Sequence, residues 1–215
     1  MFVKMWMTRD LITVSPEIPI MEARKLMKDS SIRRLPVVEA GKLVGIVTEG
    51  DLQEASPSDI TDLNVWELSY LLAKTTVAEV MSNDVVTIEP DEAIEAVALT
   101  MRERKISGLP VVDRKQRLVG IITESDVFDA LIEIMGFAEG GTRLFIELED
   151  RPGALIEALE PMRTHNVNIL SLSTAYVHTD PLTTRRVVIR MVTRDVDEIV
   201  AELERAGVKV LDVRV

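Results

Sequence analysis

The sequence predicts an α+β protein: a tandem pair of β-α-β-β-α repeats followed by a smaller βαββαβ domain. Three observations carry this. A single pattern of residues is written twice, 74 to 75 positions apart. Each copy ends in a matching phrase, Thr48-Glu49-Gly50-Asp51 and then Thr123-Glu124-Ser125-Asp126. Beyond the glycines at Gly136, Gly140 and Gly141 the pattern changes to four strands and two helices.

The first copy runs from Met7 through Leu11-Ile12-Thr13-Val14, Leu35-Pro36-Val37-Val38 and Leu43-Val44-Gly45-Ile46-Val47 into its closing phrase. The β-branched run Ile12 to Val14 reads as a strand. Pro19 suits the first position of a helix, and Ile20, Ala23 and Met27 then share one helical face. The two short apolar runs that follow read as a hairpin turning at Ala40-Gly41. The second copy repeats this from Met81 through Val85-Val86-Thr87-Ile88, Leu109-Pro110-Val111-Val112 and Leu118 to Ile122, with a longer turn at Arg114-Lys115-Gln116. There Asp91 is placed to cap a helix carrying Ile94, Val97 and Met101 on one side. Gly45 and Gly120 read as structural, easing the packing of their strands.

Between the copies lie a loop at Ser56-Pro57-Ser58-Asp59 and a stretch from Leu63 to Ala73 that reads as a helix. That helix is apolar on several sides, with Val65, Leu68 and Leu72 on one and Trp66 and Tyr70 on others, as expected of one packed between two partners. The boundaries expected are residues 1–75 for the first repeat with its linker helix, 76–135 for the second, 136–142 for a glycine-rich hinge and 143–215 for the last domain. In that domain Leu144 to Leu148, Val167 to Val177, Arg185 to Val192 and Val208 to Val213 read as strands, and Ala154 to Thr164 and Val196 to Arg205 as helices. The order is that of a ferredoxin-like sandwich. A domain this small commonly pairs its sheet with another copy.

Composition narrows the function classes. The net charge is −11, and residues 143–215 carry 12 acids against 10 bases, so most of the negative charge lies in the repeats. Such a surface repels a phosphate backbone and argues against nucleic-acid binding. No apolar stretch approaches the roughly 20 residues that span a bilayer, so no membrane role is expected, and the expected address is the cytoplasm. The absence of cysteine removes disulfides and thiolate chemistry. No phosphate-binding Gly-rich loop, nucleophile elbow or His-Glu-x-x-His occurs. The two histidines, His165 and His178, have no sequence neighbours that suggest a triad or a metal site. Neither catalytic nor metal-binding residues are therefore expected, and the protein reads as a non-enzyme needing no cofactor.

Thr48 with Asp51, and Thr123 with Asp126, stand where a strand hands over to a helix. Two readings compete. In one, each pair is a capping box that satisfies free N–H groups. In the other, the carboxylate accepts hydrogen bonds from both hydroxyls of a ribose, with the threonine hydroxyl alongside. Ile12 and Val86 would then sandwich the base. The readings are compatible, since a helix N-terminus offers N–H groups to an anion.

With these residues the two copies resemble a tandem pair of CBS domains covering about residues 3–135. The resemblance rests on the Met-Thr opening, the Leu-Pro-Val-Val strand and the Gly-Ile-Val/Ile-Thr-x-x-Asp ending. It implies an adenosine-containing ligand (AMP, ADP, ATP, S-adenosylmethionine or NAD) held in the cleft between repeats, with ribose contacts by Thr48, Asp51, Thr123 and Asp126. It also places phosphate-binding bases just before the Leu-Pro-Val-Val strand. The first copy has Arg33-Arg34 there, whereas the second has Ser107-Gly108, with Arg104 and Lys105 further back. One stronger phosphate site is expected. The rival reading of Arg33 and Arg34 is a solvated surface pair.

The last domain is similar to an ACT domain through Asp150-Arg151-Pro152-Gly153-Ala154-Leu155 and Asn166-Val167-Asn168. That resemblance implies an amino-acid ligand touched by Asp150, Gly153 and Asn168, and a homodimer. The whole arrangement resembles the acetoin-utilisation protein B family, which implies a free-standing regulator, a ligand in the cleft acting on the dimer of the last domain or on a regulated partner protein. The alternative is a ligand-free scaffold that uses both modules to dimerise.

Overall fold

The computed structural model describes residues 1–55, 74–176 and 184–215, and it forms two compact units, Met1–Val127 and Phe128–Val215. The expected loop at Ser56–Asp59, the expected helix from Leu63 to Ala73 and His178 lie outside the described residues.

In the first unit, the first repeat supplies α1 (Ile20–Asp29), the antiparallel hairpin of β1 (Arg34–Glu39) and β2 (Lys42–Thr48), and α2 (Glu49–Glu54). The second supplies α3 (Val77–Val80), α4 (Ile94–Arg104), the hairpin of β3 (Gly108–Val112) and β4 (Leu118–Thr123), and α5 (Glu124–Ile134), whose first residues belong to this unit. The β1–β2 turn is the two-residue loop expected. Ala40 and Gly41 both take positive φ, 49° and 79°, the backbone that suits the twist of a tight hairpin.

The expected first strands are reduced to single parallel bridges, Val14 to Val37 and Ile88 to Val111. Prolines explain this. Val14 donates to Pro36 O at 3.1 Å and accepts from Val38 N at 2.8 Å; Ile88 makes the same pair with Pro110 and Val112. Extending either ladder backwards would need an N–H from Pro36 or Pro110. Extending it forwards would need one from Pro16 or Pro90. The ladder stops after one rung, and Ile12 and Val86 keep main-chain groups that no described residue bonds.

The repeats exchange their leading segments. The turn at Val3–Met5 and the residues around it attach to the second repeat, through bridges from Phe2 to Ala93 and Thr8 to Ile121. The segment around α3 attaches to the first repeat, through Pro19 to Thr76 and Ile46 to Ser82. Val77 accordingly belongs to the core of the first repeat, with Ile20, Ala23, Met27, Leu35, Val37, Val47 and Leu52. Apart from Ala23, each of these buried side chains contributes about 1.5–3 kcal/mol.

This exchange corrects two expectations about helix starts. Pro19 is the cap of α1 rather than its first residue, and the N–H of Ile20 is taken by Thr75 O at 3.0 Å. Asp91 does not cap α4. Ala93 holds that position, the N–H of Ile94 goes to Met1 O at 3.0 Å, and Asp91 pairs with Lys4 Nζ at 2.7 Å. Main chain from the opposite repeat thus does the work expected of a side chain.

In the second unit, β5 (Thr142–Glu149), α6 (Ala154–Thr164), β6 (Ile169–Tyr176), β7 (Thr184–Met191), α7 (Asp197–Arg205) and β8 (Lys209–Arg214) follow the expected order. The sheet is antiparallel with order β6-β7-β5-β8, the ferredoxin-like arrangement. Alternation along the central strands buries Leu144, Ile146 and Leu148 beside Val187, Ile189 and Met191. Ala158 and Met162 of α6 and Ile199 and Leu203 of α7 join the same core. Strands β6 and β8 are its edges.

Candidate functional site

Two clefts open in the first unit, and the exchange of segments makes both composite. One, of about 350 Å³, joins Leu11 and Ile12 of the first repeat to Thr123, Ser125 and Asp126 of the second. The other, of about 470 Å³, joins Thr48, Gly50 and Asp51 of the first repeat to Val86 and Lys105 of the second. Arg33, Arg34 and Ser107 line both. The volumes fall in the range of small-molecule sites, about 300–1,000 Å³. All eight residues singled out for the nucleotide therefore border a cleft. Ile12 shares one with Thr123 and Asp126, and Val86 shares the other with Thr48 and Asp51.

At the first corner Thr48 and Asp51 form a capping box, and at the second Thr123 donates the matching pair of bonds to Asp126. Asp51 Oδ2 accepts from Thr48 N at 2.7 Å and from Thr48 Oγ1 at 2.8 Å, while Asp51 N donates to Thr48 Oγ1 at 3.3 Å. Asp126 Oδ2 accepts from Thr123 N and from Thr123 Oγ1, each at 2.7 Å. Among the described residues no hydrogen bond uses Oδ1 of either aspartate. The cap consumes one oxygen of each carboxylate and leaves the other with its lone pairs.

Arg34 lies between the clefts. Its Nη2 donates to Ser107 Oγ at 2.7 Å, and its Nη1 donates to Ser107 O. The guanidinium lies over Gly108, where an added Cβ would come within 2.7 Å of Cζ and 2.9 Å of Cδ. Burial lowers the pKa of this guanidinium, and the neighbouring Arg33 lowers it further, against opposing pulls from Glu124 and Asp126. Arg33 is exposed and Arg34 half-buried.

Sequence reasoning did not single out Ser107 or assign Lys105 to a cleft. Lys105 ends α4 in a left-handed conformation, φ 56° and ψ 40°. Ser107 sits opposite Arg33 in the alignment of the copies, which was the one available signal.

In the second unit, Asp150 lies in the loop after β5 and pairs with Arg185 Nη2 at 3.0 Å. Gly153 takes φ 89° at the cap of α6. A hollow of about 330 Å³ is lined by Asp150, Arg151, Pro152, Ala154, Leu155 and Arg185. Asn168 is not brought to this loop. It borders a separate hollow with Ile156 and Arg163, and its carbonyl accepts from Val192 N at 3.0 Å. His165 contacts Glu202 Oε1 at 3.1 Å and Glu198 Oε2 at 3.7 Å, a surface arrangement at the end of α6. Among the described residues there is no cluster of three metal-ligating side chains. None of their helices is long and apolar enough to cross a membrane.

Fold and clefts define a tandem-repeat module with two composite clefts, followed by a ferredoxin-like domain. The chain belongs to the CBS-domain family: the CBS domain profile matches residues 3–58 and 77–133, and that of the TTHA0829-like ACT domain matches residues 140–214. A CBS domain-containing protein of Dictyostelium discoideum is 37% identical over 134 residues, 62% of this chain and 92% of that protein. An L-aspartate semialdehyde sulfurtransferase of Methanocaldococcus jannaschii is 38% identical over 126 residues, 58% of this chain. The match spans 22% of that enzyme's length.

Among solved structures, a Vibrio cholerae protein named for acetoin utilization is 36% identical with TM-score 0.53, covering 65% of this chain and 96% of that one. The CBS-domain pair of protein MJ0100, in complex with 5′-methylthioadenosine and S-adenosyl-L-methionine, is 36% identical with TM-score 0.51. It covers 61% of this chain and 95% of its own. CBSX2 in complex with AMP is 29% identical with TM-score 0.51, covering 62% and 97%.

Proposed function

We propose that this chain is a non-catalytic regulatory sensor whose two inter-repeat clefts bind adenosine-containing ligands. One observation carries the reading. Each cleft sets a carboxylate with one unspent oxygen against an apolar residue, Ile12 or Val86, whose main chain is also unspent. A ribose diol would donate to the free oxygen, the base would lie on the apolar side chain, and its edge would meet main-chain groups. The relatives crystallised with AMP, methylthioadenosine and S-adenosylmethionine support the same ligand class.

Isothermal titration calorimetry with AMP, ATP, S-adenosylmethionine and NAD tests this. Saturable binding of at least one of them, lost in the Asp51→Ala/Asp126→Ala variant, is expected. No heat with any of the four at millimolar ligand overturns the reading.

The Thr48–Asp51 capping box and the matching bonds at Thr123–Asp126 favour a second reading, a scaffold whose corners serve only the fold. Under it the double variant loses stability and nothing else.

For the second unit we propose an amino-acid ligand at the loop of Asp150 and Gly153, whose Asp150 borders the hollow, and pairing of two copies through a sheet edge. Coupling of that ligand to the nucleotide would be reciprocal, each changing the other's affinity by one common factor. A regulated partner protein and a cytoplasmic setting belong to the same proposal.

A further inference from the structure

We propose that Arg34 is shared by the two clefts, so that a phosphate-bearing ligand in one opposes a second in the other; this rests on the adenosine-binding reading above. Pseudo-symmetry would give each cleft its own arginine, but the position equivalent to Arg34 is Gly108. The single guanidinium lies over that glycine, in space the glycine leaves open, and lines both clefts. A side chain at position 108 would have to displace it.

A second observation makes the sharing consequential. Ser107 O, which accepts from Arg34 Nη1, also accepts from Glu124 N at 3.2 Å at the start of α5. Moving Arg34 towards a phosphate in the Thr48–Asp51 cleft withdraws a donor from the carbonyl that anchors the Thr123–Asp126 corner. Lys105 lines only the Thr48–Asp51 cleft, which assigns the first phosphate there. A second phosphate then meets the acids Asp10, Glu124 and Asp126 with the exposed Arg33 but without Arg34.

Calorimetry of the full chain with AMP, and with adenosine as a phosphate-free probe, tests the proposal. Asp51→Ala empties the first cleft. AMP is expected to bind the Thr123–Asp126 cleft of that variant about tenfold tighter than it binds as the second ligand of the unaltered protein. Adenosine should show less than about a threefold difference in the same comparison. Adding Arg34→Ala should abolish the tenfold gain. Should Arg34→Ala not fold, Arg34→Gln keeps a hydrogen-bonding side chain of similar length but removes the shared charge, and it too should abolish the gain. Equal AMP affinities in the first comparison, or a gain that persists without Arg34, overturn the sharing while leaving nucleotide binding intact. Failure of both adenosine and AMP to bind overturns the sharing as well, and failure of ATP, S-adenosylmethionine and NAD besides overturns the sensor reading beneath it.

Discussion

Asp51 and Thr48 close a ring at the start of α2 in which a single carboxylate oxygen takes two hydrogen bonds, from the threonine's N–H and from its hydroxyl. Asp126 and Thr123 repeat it at the start of α5. The ring orients the second oxygen, and because the threonine is fixed by β2 or β4 the carboxylate needs little ordering when a ligand arrives.

Asp51→Ala and Asp126→Ala are expected to cost about 1 kcal/mol of stability each, the ordinary loss of a cap, and to remove ligand-induced stabilisation of their own cleft. Asp→Asn keeps an oxygen for the cap and should lose less stability while still weakening binding. Urea unfolding with and without ligand separates the two effects.

Gly45 and Gly120 carry a close approach between repeats. A Cβ on Gly45 would come within 2.5 Å of Met81 Sδ and 3.2 Å of Ser82 O, and on Gly120 within 2.6 Å of Met7 Sδ and 3.2 Å of Thr8 O. Gly45→Ala should destabilise by about 1–3 kcal/mol through overpacking. Met81→Ala should relieve part of that cost, so a double-mutant cycle in denaturant should give a coupling of about 0.5 kcal/mol or more. Additive effects would mean the methionine is not the obstacle.

Glu79 accepts from Thr76 N at 2.8 Å and from Thr76 Oγ1 at 3.0 Å, and these bonds, the backbone one foremost, hold its carboxyl below the ordinary 4.5. A depressed folded value stabilises the native state above the ordinary pKa, and that contribution is lost as pH falls through the folded value. Glu79→Gln should therefore be less stable than the parent at pH 7, and the difference should shrink below pH 4.5. Thermal melts across that range measure it.

Gly153 holds φ 89°, yet the nearest atom to a Cβ there, Glu157 Oε1, is 3.8 Å away. Gly153→Ala should cost about 1–2 kcal/mol from backbone strain alone, with no packing penalty. The unfolding m-value should be unchanged, since the buried surface does not alter.

The duplication, both hairpins, the Thr-x-x-Asp corners and the βαββαβ order were legible because each is written in local periodicity or turn chemistry. The φ of 49° at Ala40 and 79° at Gly41 is the backbone a two-residue hairpin loop requires, so the short turn between apolar runs already marked it. The strands expected at Ile12–Val14 and Val85–Ile88 failed for a reason also present in the sequence. Pro16, Pro36, Pro90 and Pro110 withhold the N–H groups a longer ladder needs, but only once their pairing partners are known. Asn168 was assigned to the Asp150 loop by resemblance, and the fold of one chain puts it at a different hollow.

What the sequence determined alone is the module order and the chemistry at each corner, since capping, periodicity and turn preference act over a few residues. What tertiary structure decided is which corner meets which apolar segment. Exchange of the leading segments, through Thr8 to Ile121 and Ile46 to Ser82, builds each cleft from both repeats. It also brings Arg34 over Gly108, 74 positions away. Those contacts satisfy main-chain groups and bury apolar surface across a long stretch of chain, and no local preference encodes a partner at that distance.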